Sequence, residues 1–278
     1  MTQRLVVPAP AKVNLFLHVT GRRADGYHTL ESLFALIDLA DTLALHSRDD
    51  GVVHRIGDVP GVPAADDLAL RAACALQQAS GTHRGVDYAL DKRIPQGAGL
   101  GGGSSDAASM LLALNRLWAL GLPRSELARI ALRLGADVPF FIGGEAAVAR
   151  GVGEQLTPVS MPRLWLVVAL PPVQVPTASI FAAPELTRNT PSAKMNVFSA
   201  VYGRNDLEPV AAARFPEVAS ALADLRAVAP QARMSGSGAA VFAAFGSACE
   251  ARAAAMRCVR QDVRVVRTMG RHPLASFA

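Results

Sequence analysis

Apolar and polar positions alternate along residues 3–8 and again along 13–19, the period of a half-buried strand. Residues 33–45 read as a further strand region, closed by a polar turn at 47–51. The period then changes: over residues 67–79, Leu68, Ala72, Ala75 and Leu76 fall on one helical face. Residues 88–94 return to a strand. Beyond them a helix carries Leu111, Leu114, Leu117 and Trp118 as its buried stripe. Another helix begins near Pro123 and Ser125 and stops at Gly135, with proline at its start and glycine at its end. Asp137 is thereby expected just past a helix C-terminus. Residues 156–162 are punctuated by proline and mark a boundary between domains at 1–158 and 159–278. In the second part, residues 164–170 read as a buried strand, and Pro171, Pro172 and Pro176 stiffen the loop before Thr177. A helix is predicted over 215–227, a strand over 239–245, a helix over 249–261 and a last strand over 262–268. Strands and helices mix in both halves without a repeat, a pattern that permits an α+β fold.

With 278 residues, 51% of them hydrophobic, the chain can bury one large core or two smaller ones. No apolar run is long enough to span a membrane, and the N-terminus lacks the apolar stretch of a signal peptide. Cys74, Cys249 and Cys258 are scattered, with no C-x-x-C, which suits a reducing cytoplasm. No His/Cys cluster has zinc-ligand spacing, so no protein-held metal is expected. The net charge of +5 suits anionic small molecules. Nucleic acid is disfavoured, because no Lys/Arg block or aromatic–basic alternation is present. Only three of the 28 basic residues are lysines: Lys12, Lys92 and Lys194. A chain so biased toward arginine keeps lysine where a compact ammonium is useful.

The run Ile94-Pro95-Gln96-Gly97-Ala98-Gly99-Leu100-Gly101-Gly102-Gly103-Ser104-Ser105-Asp106 stands apart. Five of the seven residues 97–103 are glycine, so the backbone is free to take positive φ and to approach a ligand closely. Ser104 or Ser105 suits the N-cap of the following helix, and Asp106 its first turn. Glycines feeding a helix N-terminus make an anion site from main-chain N–H groups and the helix dipole, and the natural anion is a polyphosphate. Gly97, Gly99 and Gly102 match G-x-G-x-x-G. Unlike a dinucleotide site, however, the pattern lies a third of the way along the chain, with no acidic residue closing a following strand. No lysine follows the glycines as in a P-loop, and the V-A-I-K, H-R-D and D-F-G signatures of protein kinases are absent. A merely flexible turn would not be expected to end in Ser-Ser-Asp against an amphipathic helix.

With its flanks, the loop resembles the phosphate-binding motif of the GHMP small-molecule kinases, in outline P-x-G-x-G-L-G-x-S-S-A. Pro10-Ala11-Lys12-Val13-Asn14-Leu15-Phe16-Leu17 is similar to that family's first motif, and Met234-Ser235-Gly236-Ser237-Gly238-Ala239 to its third. Arg22-Arg23-Ala24-Asp25-Gly26-Tyr27-His28-Thr29-Leu30 and Leu134-Gly135-Ala136-Asp137-Val138-Pro139-Phe140 fit as well. The resemblance implies a two-lobed fold, with a ribosomal-protein-S5 domain-2-like N-terminal lobe and a ferredoxin-like C-terminal lobe. It also implies ATP as phosphoryl donor, with Mg²⁺, and an alcohol as acceptor. The Asp25-Gly26-Tyr27-His28 segment separates the branch whose substrate is cytidine diphospho-methylerythritol, in isoprenoid synthesis by the non-mevalonate pathway, from its cousins. A branch acting on homoserine or a mevalonate derivative needs no cytosine clamp. A nucleotide-binding protein without catalysis would have lost Lys12 or Asp137, and both are present.

On that resemblance the phosphates are held by Pro95, Gln96, Gly97, Ala98, Gly99, Leu100, Gly101, Gly102, Gly103, Ser104 and Ser105. Asp137 removes the proton of the accepting hydroxyl, and Lys12 lies beside it, offsetting charge in the transition state. Asn14, two residues on, shares the face of Lys12 on a strand. Tyr27 and Phe181 sandwich the cytosine, His28 hydrogen-bonds its edge, and Thr177 stands nearby. Stacking tolerates any base, so edge hydrogen bonds decide which one fits. Without the resemblance, Asp137 reads as a turn or cap residue, Lys12 as a surface lysine, Phe181 as a core phenylalanine and Tyr27-His28 as a hairpin tip. Gly236 and Gly238 either let the second lobe approach the phosphates or the glycine loop, or form a tight turn. Asp106 would repel a phosphate unless Mg²⁺ mediates, and relatives often carry a neutral residue there. At Asp67, by the adenine end, they can have Asn. The partners expected are small molecules, with neither nucleic acid nor membrane, for a monomer or weak dimer.

Overall fold

The computed structural model describes residues 3–192, 203–258 and 260–278; Lys194 lies outside them. The chain opens with β1 (Arg4–Arg22), a single 19-residue strand where two were expected. Pro8 and Pro10 do not break it. Their carbonyls point away from the neighbouring strand and accept from Ser109 Oγ and Ser105 Oγ, so their missing N–H groups fall on the same outer edge. There follow β2 (His28–Arg48), β3 (Val53–Arg55), α1 (Leu68–Ser80), β4 (Gly85–Asp91), α2 (Gly102–Leu117), α3 (Arg124–Leu132), α4 (Val138–Gly143), β5 (Ala147–Arg150) and β6 (Gln155–Pro158). β2 pairs antiparallel with β1 along its length. Its other edge is shared between β5 at residues 32–34 and β4 at 42–48. The six-stranded sheet has the order β3-β4-β2-β5-β6, with β1 on β2.

The second sheet is built from β7 (Trp165–Leu170), followed by α5 (Thr177–Phe181), α6 (Glu208–Arg214), α7 (Pro216–Arg226), β8 (Arg233–Met234), β9 (Val241–Phe245), α8 (Ala248–Arg257) and β10 (Asp262–Arg267). Its order, β10-β7-β9-β8 with every pairing antiparallel, is the ferredoxin-like β-α-β-β-α-β arrangement. The two sheets face each other. Ala11, Val13 and Leu15 of β1 and Leu33, Ala35 and Ile37 of β2 pack against Leu166 and Val168 of β7 and Phe242 of β9. The opposite faces are covered by α1 to α4 on the first sheet and by α6 to α8 on the second. The layers therefore run helix, sheet, sheet, helix, and β7 is buried on both faces, as its unbroken apolar sequence predicts.

Several sequence expectations shift for local reasons. β4 stops at Asp91 rather than reaching residue 94, because the amides of Arg93 and Ile94 donate to Asp41 Oδ1 instead of to a strand. The N-cap of α2 is Gly101, at φ +70°, and not a serine. Ser104 and Ser105 lie within the helix, and Asp106 is buried beyond its first turn. α3 ends at Leu132, and Asp137 occupies the turn immediately before α4. α4 and α6 were not legible: both are short, and α4 is apolar nearly all round, leaving no period to read.

Leu166 is fully buried between the sheets. Leu166→Ala should lower the unfolding free energy by about 2–5 kcal/mol through lost burial and a residual cavity. Leu132→Ala, on an exposed helix face, should change it by less than about 0.5 kcal/mol. Urea denaturation followed by far-UV circular dichroism checks both.

Candidate active site

The geometry starts in β1. Register shifts between Pro10 and Lys12 and between Asn14 and Phe16 bracket a short regular segment. Irregularities of this kind re-aim side chains. Ala11 and Val13 enter the core between the sheets, and Lys12 and Asn14 turn the other way, into a cleft of about 510 Å³. Lys12 Nζ donates to Asn14 Oδ1 at 2.6 Å, lies 3.4 Å from Asp137 Oδ2, and sits 5.0 Å from the centroid of the Phe34 ring. Asn14 is oriented in turn: its amide donates to Ser32 Oγ at 2.8 Å, and that hydroxyl donates to the Phe16 carbonyl. The ammonium is buried, whereas the Asp137 side chain is 34% exposed and open to the cleft.

The glycine run forms one wall of the same cleft. Its carbonyls are occupied from behind. Leu100 accepts from the Lys12 amide at 2.9 Å, Ala98 from the Ala240 amide at 3.1 Å, and Gly99 from Ser235 Oγ at 3.0 Å. A Cβ at Gly99 would stand 2.2 Å from the Ser235 carbonyl oxygen, at φ +71°. The turn at 234–239 thus approaches the glycine loop directly, the closer of the two roles expected for Gly236 and Gly238. Among the described residues no side chain caps the first turn of the 16-residue helix α2. Its leading N–H groups, at the positive end of the helix dipole, are available to an anion.

A buried charge cluster underlies that turn. Lys92 Nζ bridges Asp41 at 2.5 Å and Asp106 at 2.7 Å. Burial alone would lower the Lys92 ammonium, but attraction from Asp106 and Asp41 outweighs it and the net direction is upward. Burial pushes the Asp106 carboxyl up to about 7 against the pull of Lys92. Asp106 Oδ1 has no hydrogen-bond partner among the described residues. At the far end, Asp67 caps α1 and also accepts from Tyr88 and Arg55. Burial and then this hydrogen bond hold the Tyr88 phenol well above its ordinary value.

At the other end Thr177 and Phe181 line the cleft, and the Thr177 hydroxyl lies 2.7 Å from that of Ser237. The His28 ring stacks on Phe181, centroids 5.2 Å apart and tilted by 30°. Burial, followed by the charges of Arg188 and Arg22, lowers the His28 imidazole below its ordinary value. Lys12, Asn14, Asp137, residues 95–104, Thr177 and Phe181 therefore surround one cleft. His28 joins it through Phe181. Tyr27 is 66% exposed on the hairpin tip, away from the cleft lining, and Ser105 faces back toward β1. Sequence reasoning did not assign Ser32, Phe34 or Arg188 to this region. The scarcity of lysine was the one signal for Lys92. Arg188 was one arginine among many.

Comparison with known proteins follows the same lines. Residues 67–145 match the GHMP kinases N terminal domain, and residues 183–259 match GHMP kinases C terminal. The chain is 57% identical over 277 residues to the 4-diphosphocytidyl-2-C-methyl-D-erythritol kinase of Cupriavidus metallidurans, covering 98% of this chain and 95% of that one. It is 57% identical over 272 residues to the protein of the same name from Thiobacillus denitrificans, covering 97% of each. A crystal structure of 4-(cytidine 5'-diphospho)-2C-methyl-D-erythritol kinase superposes with a TM-score of 0.84 at 39% identity, over 96% of this chain and all of that one. The homoserine kinase of Cytophaga hutchinsonii, at 18% identity and a TM-score of 0.71, shares the fold over 98% of this chain and 95% of its own.

The packing of the loop distinguishes two glycines. Gly99→Ala meets both a positive φ and a backbone oxygen, and should destabilise the protein by more than about 1 kcal/mol. At Gly103 a Cβ would meet only Leu68 Cδ1, at 3.5 Å, inside a helix. Gly103→Ala should be neutral or stabilising by up to about 1 kcal/mol. Differential scanning calorimetry of the two variants reads the contrast.

Proposed function

Because the chain belongs to the GHMP kinases, we propose that it transfers the terminal phosphoryl group of ATP to the 2-hydroxyl of 4-diphosphocytidyl-2-C-methyl-D-erythritol. The products are the 2-phosphate and ADP, in isoprenoid synthesis by the non-mevalonate pathway. The observation that carries the chemistry is the trio on the cleft wall: a buried lysine within 3.4 Å of a solvent-reachable aspartate and 2.6 Å of an asparagine, beside an uncapped helix N-terminus.

Phosphoryl transfer to an alcohol needs a cradle for the leaving phosphates, a base at the hydroxyl and positive charge where negative charge develops. Residues 95–104 supply the cradle, with the amides of the first turn of α2 aimed at the phosphate oxygens. Asp137 takes the proton of the 2-hydroxyl. Lys12, its ammonium held by Asn14, offsets charge on the transferring group. Among the described residues no cluster of three or more His, Cys, Asp or Glu can hold a metal ion. Mg²⁺ would be carried in on the nucleotide, keeping most of its waters and phosphate ligands. Asp106 Oδ1 is buried, so Asp137, exposed on the cleft wall, is the carboxylate that would meet the ion through one of those waters. Bound there, Mg²⁺ would neutralise charge on the phosphates.

At the acceptor end Phe181 stacks on the cytosine, His28 hydrogen-bonds its edge and Thr177 stands beside it. Tyr27 would swing in from its exposed tip to cover the outer face of the base. Residues 1–158 and 159–278 form the two domains of a cytoplasmic monomer or weak dimer, and no helix among the described residues is long and apolar enough to cross a membrane. Incubation with ATP, Mg²⁺ and the cytidine diphospho-sugar alcohol should yield ADP and a monophosphorylated product. Turnover of homoserine in its place would overturn the substrate assignment.

Asp137→Asn keeps the shape of the base and removes its function, so kcat should fall about 10²–10⁴-fold with little change in either KM. Lys12→Arg should fail similarly, since Lys12 Cγ and Cε already crowd the space beside Gly101 and a planar guanidinium is not a point charge. Coupled-enzyme assays of ADP release measure both. Phe181→Ala should weaken CDP binding about 5- to 150-fold by loss of one stacking face, with ATP affinity within a few-fold of wild type, as read by isothermal calorimetry.

A further inference from the structure

We infer that Arg188 is a positioning residue for the pyrimidine end of the cleft: its guanidinium occupies the Nε2 lone pair of His28, fixes the proton on Nδ1, and holds that ring against Phe181. Arg188 Nε donates to His28 Nε2 at 2.9 Å. The rest of the guanidinium fork is spent on the turn that carries Phe181. One terminal nitrogen donates to the carbonyls of Ala183 at 2.6 Å and Phe181 at 3.1 Å, and the other to those of Leu186 at 3.0 Å and Pro184 at 3.4 Å. One side chain therefore ties the N-terminal hairpin to the element bearing Phe181.

A guanidinium only donates, so the nitrogen facing it must present a lone pair. The imidazolium has none free, and of the two neutral tautomers only Nδ1–H leaves Nε2 as an acceptor. Nδ1 makes no hydrogen bond to a described residue, which leaves one N–H donor for a ligand. The charged groups acting on the ring, Arg188 and Arg22, are both cationic, and with burial they oppose its protonation. A donor on this edge suits the N3 lone pair of a cytosine and not the N3–H of a uracil. This step rests on the placement of His28 at the base edge proposed above. Lysine cannot replace the fork, because it offers a point charge rather than a planar array of donors.

The test uses the full-length protein without ligand. Long-range ¹H–¹⁵N spectra of the imidazoles, with His28→Gln for assignment, should show wild-type His28 protonated on Nδ1 and unprotonated on Nε2 at pH 7. An Nε2–H ring in the wild type overturns the inference whatever the variants do. Arg188→Met should release the ring to a tautomer mixture titrating closer to the ordinary value, with Arg188→Lys intermediate. In Arg188→Met, affinity for CDP should fall about 10-fold and the preference for CDP over UDP should shrink, while the KM for ATP stays within twofold. Equal weakening of CDP and UDP with an unchanged tautomer makes Arg188 a merely structural residue and overturns the inference. If the tautomer responds as stated but the wild type shows no preference for CDP over UDP, the control of the ring by Arg188 stands and the pyrimidine reading of His28 falls.

Discussion

The outer edge of β1 is satisfied by pieces of chain from distant parts of the sequence rather than by another strand, and the geometry of the cleft follows from that. Ser109 and Ser105 of α2 donate to Pro8 and Pro10, the Leu100 carbonyl accepts from Lys12, and Ser235 Oγ accepts from the Asn14 amide. Further on, the Arg204 carbonyl takes the Leu17 amide and Asp206 takes that of Val19. An unpaired buried backbone group costs about 1–3 kcal/mol, so each of these partners is held firmly. Meeting the hydrogen-bond needs of one strand edge brings together the start of α2, the glycine loop and the 234–239 turn. Lys12 and Asn14 stand at their junction.

Buried charge is the second constraint. Lys92 lies between Asp41 and Asp106 beneath the first turn of α2, and a Cβ on Gly102 would come within 3.2 Å of its ammonium. Burying an ammonium between two carboxyl groups costs desolvation energy that only close, well-aligned pairing offsets. The same Asp41 carboxylate also receives the Arg93 and Ile94 amides, where the chain leaves β4. The cluster thus fixes the entry of the glycine loop and the base of the cradle together. It also gives a physical reason for retaining lysine in an arginine-rich chain, since one compact ammonium meets both carboxylates at once.

Periodicity made α1, the stripe of α2 and the doubly buried β7 legible, because each is set by a face that its own residues declare. It failed where a distant partner decides. β1 continues through two prolines because serines of α2, about a hundred positions on, donate to the carbonyls on the unpaired side of the strand. The serines after the glycine run resemble caps, but Gly101 at positive φ begins the helix before them. Lys12, Asn14 and Asp137 were recognisable through motifs, and the structure brings their side chains together. Arg188 gave no local signal, since its partner His28 is 160 residues away. Tyr27, beside His28 in sequence, is carried outward on the exposed tip instead.

The bond from the Asn14 amide to Ser235 spans 221 residues, and that from Arg233 to the Leu15 carbonyl spans 218. On the ribosome, β1 emerges first and its last edge partners emerge near the end. At about 5–20 residues per second, the strand waits on the order of ten to forty seconds with that edge incomplete. Such an edge templates pairing with other chains, and the nascent protein must traverse this interval before its catalytic centre exists. A truncated N-terminal half would carry the glycine run, Lys12 and Asp137, yet remain an aggregation hazard rather than a weak enzyme.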